Sequence, residues 1–137
     1  MTKAVSTLTL QKCKKDGRKI VCLTAYDYSM AKILDRAGVD LILVGDSLAM
    51  VALGHRTTHA VTMEEMLHHT RAVTRGVSTA MVVADLPFMS YQVDVTQAIM
   101  NAGRFVKEAQ AHAVKLEGAT KLNLEIIERL TGMGIPV

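Results

Sequence analysis

Aromatic residues are scarce in this 137-residue sequence: they make up 4% of it, and Trp is absent. That is too few for the aromatic-rich strands of a typical β-sandwich. Only two cysteines occur, Cys13 and Cys22, and they show no metal-ligand spacing. Free thiols in a reducing compartment are the expectation. No run reaches the roughly 18 apolar residues that a membrane span needs, so no membrane partner is expected. The opening stretch, MTKAVSTLTLQKCKK, lacks the apolar centre of a signal peptide and has too little Arg for a clear transit peptide. A cytoplasmic protein is therefore expected. The net charge is +3, and much of the basic excess sits in Lys12, Lys14, Lys15, Arg18 and Lys19. A nucleic-acid surface would interleave such charges with aromatics or glycines, and neither is present. These residues read instead as a solvated helix end followed by a basic turn, with no nucleic-acid partner.

Half of the residues are hydrophobic, mostly small or aliphatic, and they are organised as alternating strands and helices. Short apolar runs at residues 20–25, 39–46, 79–85 and 112–118 read as strands, the last three ending in an acid. Helical spacing follows each run, over residues 28–38, 62–76, 94–110 and 122–134. Asp27 is a candidate N-cap and Gly38 a candidate stop. Thr62 with Glu65, and Asp94 with Gln97, fit capping boxes, and Gly76 fits a helix stop. Residues 47–61 read as a long polar loop that could fold over the ends of the strands, carrying His55 and His59. Continuous rather than alternating apolar runs suit strands buried on both faces. Their alternation with helices argues for right-handed βαβ units and a parallel sheet, either doubly wound or a (β/α)8 barrel. No G-x-G-x-x-G follows the first strand, which disfavours the dinucleotide fold.

The acids carry the chemistry. In parallel βα repeats all strand carboxyl ends lie on one face, where barrels place their active sites. Asp46, Asp85 and Glu117 each close a strand and are therefore expected to meet at one rim. Each alone could simply cap the next helix. Together, unneutralised, they would repel one another, and a hard divalent cation relieves that. Oxygen donors without Cys or His favour Mg²⁺. Lys115 lies two positions before Glu117, on the same strand face, where it can pair with an anionic substrate or extend its head to solvent. His68 and His69 are adjacent on a helix and cannot chelate one ion together. His112 has no assigned role, and the methionines fit core packing.

The segments TAYDYSMAK, VGDSLAMV, VTMEEMLHHTRAV, ADLPFMSY and AVKLEG, in this order and spacing, resemble the 3-methyl-2-oxobutanoate (ketopantoate) hydroxymethyltransferase family from about Thr9 to Val137. The resemblance implies an α/β fold of the (β/α)8 TIM-barrel family and a homo-oligomeric enzyme of pantothenate biosynthesis. It would transfer a hydroxymethyl group from 5,10-methylenetetrahydrofolate to 3-methyl-2-oxobutanoate, giving 2-dehydropantoate. It further implies Mg²⁺ held by Asp46, Asp85 and Glu117, and the oxo acid contacted by Asp46, Ser47, Asp85 and Lys115. The family's general base is a glutamate on a later strand, so no residue up to Val137 inherits that role. Another Mg²⁺-dependent 2-oxo-acid lyase of the phosphoenolpyruvate/pyruvate type, or a ligand-binding half-barrel without turnover, are the alternatives. Gln110 stands where relatives commonly carry Gly before a strand, which should cost about 1 kcal/mol.

A barrel of this kind usually needs about 250 residues. Residues 1–137 are therefore expected to be the N-terminal half of one (β/α)8 domain, with IPV at residues 135–137 opening a fifth strand.

Overall fold

The computed structural model describes residues 4–137. Residues 1–3, at the head of the stretch read as neither signal nor transit peptide, lie outside the described residues. Four parallel strands, β1 (Cys22–Thr24), β2 (Leu41–Val44), β3 (Met81–Asp85) and β4 (Ala113–Lys115), lie side by side in sequence order. Helices α2 (Tyr28–Arg36), α4 (Met63–Gly76) and α5 (Val95–Ala109) connect them, preceded by α1 (Thr7–Lys15) and followed by α6 (Lys121–Gly132). Neighbouring strands in sequence order are the signature of a barrel wall rather than of a doubly wound sheet, whose order reverses at a switch point. Four βα units of the (β/α) barrel class are therefore present.

One face of the sheet makes the core. Ile42, Val44, Val82, Ala84 and Val114 are buried against Met66, Leu67, Val73, Ala98, Ala102 and Phe105 of the helices. The other face, with Leu41, Leu43 and Val83, is only half-buried and borders a groove of about 320 Å³. The strands are thus apolar on both faces, as their continuous runs imply, but helices cover one face only. Beyond β4, the Val114 N–H donates to the Pro136 carbonyl at 3.0 Å, the contact expected from the start of a fifth strand, although residues 135–137 have no regular strand pairing.

The helix boundaries follow local chemistry. Asp27 caps α2 through the Met30 N–H, and Gly38, at φ +83°, takes the left-handed turn after it. Thr62 and Glu65 form the reciprocal capping box of α4. Gln110 does occupy the left-handed position, at φ 57°, where glycine would be unstrained.

Four expectations need correction. Residues 47–61 are not a plain loop: they fold into α3 (Leu48–Val51) and a 3-10 turn (Thr58–Ala60), because Leu48 and Ala49 are buried and draw the backbone in. Gly76 does not stop α4 by a left-handed turn. It is the last helical residue and is buried, and a Cβ there would stand 2.6 Å from the Tyr28 carbonyl oxygen, so glycine permits α4 to approach α2. Asp94 caps α5 through the Gln97 N–H, but the reciprocal half of the box is absent, since Gln97 Oε1 is buried without a partner. Finally, Arg18 is not part of a merely solvated turn. Its guanidinium grips both carboxylate oxygens of Asp40, at 2.7 and 3.2 Å, and also donates to Cys13 Sγ.

Candidate active site at the carboxyl rim of the sheet

The parallel register sets Asp85 directly beside Lys115 and carries β2 into Gly45 and Asp46 at the same end. Asp46, Asp85 and Glu117 all line one cleft of about 80 Å³ at this rim. The convergence expected from topology is therefore present, although the three acids lie far apart in sequence.

Their environments differ. Asp85 is buried, and both its oxygens accept from Lys115 Nζ at 2.9 Å. One oxygen also accepts the Asp46 N–H at 3.3 Å, which ties the end of β3 to the turn after β2. Burial pushes the Asp85 carboxyl above the usual carboxylate range, against the opposing pull of Lys115. For Lys115, burial disfavours the charge, but the contacts with Asp85 outweigh it and hold the ammonium above its ordinary value. Lys115 is thus a charged partner of Asp85, with its side chain 37% exposed. Its Nζ also lies 3.7 Å from Glu117 Oε1, in keeping with their shared strand face. Glu117 follows the end of β4 by two residues, and its side chain is 77% exposed. Its backbone is nevertheless fixed, because its N–H donates to the Tyr91 hydroxyl at 3.1 Å and its carbonyl accepts from Asn123 Nδ2.

Ser47 sits at the start of α3, where its hydroxyl shares a hydrogen bond of 2.9 Å with the Tyr26 hydroxyl. Tyr26 is held in turn from behind, since His69 Nδ1–H donates to its carbonyl at 2.6 Å. His69 thereby ties α4 to the segment after β1. His112 stands at the opposite end of the sheet, where its Nδ1 accepts the Val82 N–H at 2.9 Å and burial lowers its pKa. His59 reaches the cleft with Thr58, so the segment after β2 does fold over the rim, while His55 is not among the lining residues.

The donor chemistry suits a hard cation, since every acid at the cleft offers carboxylate oxygen and no thiol is near. Among the described residues, no three His, Cys, Asp or Glu side chains are drawn together tightly enough to hold an ion. Lys115 Nζ lies between two of these acids, 2.9 Å from Asp85 Oδ1 and 3.7 Å from Glu117 Oε1.

Residues 4–137 match the family described as ketopantoate hydroxymethyltransferase. The chain belongs to this family. A 3-methyl-2-oxobutanoate hydroxymethyltransferase from Syntrophus aciditrophicus is 59% identical over 97% of the chain and 48% of the relative. One from Thermoanaerobacter pseudethanolicus is 57% identical over the whole chain and 50% of the relative. The chain therefore spans about half the length of the curated relatives it matches. Among solved structures, a phosphonopyruvate hydrolase complex with oxalate and Mg²⁺ superposes with a TM-score of 0.67 at 19% identity, covering 88% of this chain and 40% of the other. A 2,3-dimethylmalate lyase of the PEP mutase/isocitrate lyase superfamily gives 0.66 at 12% identity, covering 96% and 49%. At such low identity these neighbours speak for the fold alone.

Sequence reasoning about this ketopantoate hydroxymethyltransferase family member missed Tyr26, Tyr91 and Asn123. Each contributes a side-chain hydrogen bond that holds a site residue, across 21, 26 and 6 positions respectively. Only Asn123, near in sequence and just inside the capped start of α6, left a local signal. Among the described residues no helix is long and apolar enough to cross a membrane.

Proposed function

We propose that the rim is the acceptor half of a hydroxymethyltransferase site, binding 3-methyl-2-oxobutanoate with Mg²⁺ and receiving a one-carbon unit from 5,10-methylenetetrahydrofolate to give 2-dehydropantoate. The observation that carries this is the convergence of Asp46, Asp85 and Glu117 at one cleft, with Lys115 paired to Asp85, in a chain 57% to 59% identical to proteins of that name. Asp46, Asp85 and Glu117 would hold the metal, which when bound supplies Lewis-acid polarisation of the 2-oxo group.

The chain's own residues account for the rest. The Ser47 hydroxyl, pre-oriented by Tyr26, donates to the substrate carboxylate. Lys115 supplies a fixed positive charge beside the oxo oxygen, where negative charge develops once the proton at C3 leaves. No described residue is assigned as the proton acceptor. The reading extends to homo-oligomeric assembly, supported by the large apolar side chains left exposed on the outer helices, such as Met100 and Leu124. The domain reading, four of the eight βα units of one barrel, is supported by the share of each relative that the chain covers.

The test is product analysis with Mg²⁺, the oxo acid and the folate, alongside calorimetry of oxo-acid binding. Formation of 2-dehydropantoate only when the folate is present supports the transferase. Mg²⁺-dependent cleavage of a 2-oxo acid without folate overturns it. Lys115→Met should weaken oxo-acid binding while Mg²⁺ binding is largely retained, and unchanged binding of the acid removes Lys115 from the site.

A further inference from the structure

The chain has two phenylalanines, and they are treated oppositely. Phe105 is wholly buried in the core, whereas Phe88 is 47% exposed at the mouth of the rim cleft. Phe88 does not stand alone there. The ring of His59, which arrives from the separate segment after β2, lies 4.6 Å from it between centroids, tilted by 38°. The two loops thus bring an aromatic pair together directly beside the acids.

The turn that presents Phe88 is strained and locked. Met89, next in the chain, holds φ at +64°, a conformation that costs a non-glycine residue on the order of 1 kcal/mol or more. The flanks keep it there. Ser90 N–H donates to the Pro87 carbonyl at 3.0 Å, and Asn101 Nδ2 donates to the Ser90 carbonyl at 2.6 Å. Tyr91 is buried with its hydroxyl on the Glu117 N–H. This turn holds Phe88 at the mouth of the cleft.

Size decides what such a surface would meet. The cleft, at about 80 Å³, admits a cation and part of a small oxo acid. Sites for larger ligands run to about 300–1,000 Å³. A planar ring too large for this cleft would lie at its mouth, against the aromatic pair. We infer that Phe88 and His59 form a stacking platform for the flat pyrimidinone ring of the reduced pterin in the one-carbon donor. The Thr58 hydroxyl and the Gln92 amide, at the same cleft, are placed to meet the polar edge of that ring. This inference rests on the transferase reading and adds to it the residues that select the donor.

The experiment is anaerobic calorimetry of the full chain with tetrahydrofolate, in the presence of Mg²⁺, and a parallel titration with 3-methyl-2-oxobutanoate. Loss of one stacking ring should weaken tetrahydrofolate binding by about fivefold to a hundredfold in Phe88→Ala. Phe88→Trp and His59→Phe should retain it, His59→Ala should weaken it, and oxo-acid binding should be unchanged throughout. Tetrahydrofolate binding that is indifferent to Phe88→Ala overturns the platform. So does a parent chain that binds the oxo acid but not tetrahydrofolate, which leaves the acceptor site standing. Loss of both ligands in Phe88→Ala also overturns it, because the turn would then shape the whole site. A parent chain that binds neither ligand removes the transferase reading and the platform together.

Discussion

Acids stand at both ends of the sheet, and they are used in opposite ways. At the amino end, Asp35 accepts from the backbone N–H groups of Ser78, Thr79 and Ala80 and from the Thr79 hydroxyl, at 2.7 to 3.0 Å. It thereby clamps the chain entering β3 to α2. Asp40, at the start of β2, accepts from Arg18 and from the Val21 N–H. Both carboxyls are held below the ordinary carboxylate range: Asp40 chiefly by Arg18, and Asp35 by its N–H partners, which outweigh the upward push of burial. At the carboxyl end, Asp85 is pushed upward by burial, and Glu117 extends its oxygens toward solvent. Asp35 and Asp40, whose oxygens are taken by backbone N–H groups, a hydroxyl and a guanidinium, are structural ties. Asp85, held by a partly exposed lysine head as well as one N–H, and Glu117, with its side chain mostly exposed, leave carboxylate oxygen at a cleft.

The largest effect should come from the amino end. Asp35→Ala leaves three backbone N–H groups without their partner and should cost about 3 kcal/mol at roughly 1 kcal/mol each, seen in denaturant unfolding. Mg²⁺ binding should not change. An equal loss of metal affinity would erase the distinction between the two ends.

Asp85→Asn should do the reverse. Mg²⁺ affinity should fall at least about tenfold, because a residue that holds the ion directly should matter no less than its supporting partners. The melting temperature should stay level or rise, since the isosteric amide removes a buried charge and Lys115, 37% exposed, can turn to water. Clear destabilisation in thermal melts would make Asp85 another structural tie.

The two ends should also separate in acid. Carboxyls depressed in the fold contribute stability that is complete above the unfolded value, about 3.9 for Asp. That stability is lost as pH falls through the lower, folded values of Asp35 and Asp40. The raised Asp85 has the opposite sign: its ionised form burdens the fold at neutral pH, and the burden lifts as pH falls through its folded value. Circular dichroism against pH should therefore show acid unfolding that is shallower in Asp40→Asn and not in Asp85→Asn.

The smallest effect is a backbone one, where α5 turns into β4. Gln110→Gly relieves a left-handed residue and should stabilise by about 0.5–1 kcal/mol, with both ligand titrations unaltered.

The repeat of apolar run, capped helix and terminal acid was legible in the linear sequence because it is local. Asp27, Thr62 and Glu65 act within one helical turn, and Asp46 and Asp85 inherit their shared rim from strand direction alone. What the sequence by itself determined is therefore the parallel βα order and the end of the sheet at which Asp46, Asp85 and Glu117 meet. Only the tertiary structure decided which acids are spoken for. Whether Asp40 meets Arg18, Asp85 meets Lys115, or Tyr26 meets Ser47 depends on contacts across 22, 30 and 21 positions. Gly76 is equally illegible, since its purpose is the nearness of another helix. The physical reason is that helix periods and caps are short-range and written in adjacent residues, whereas the satisfaction of a lone pair is settled by whatever the packed chain brings within 3 Å of it.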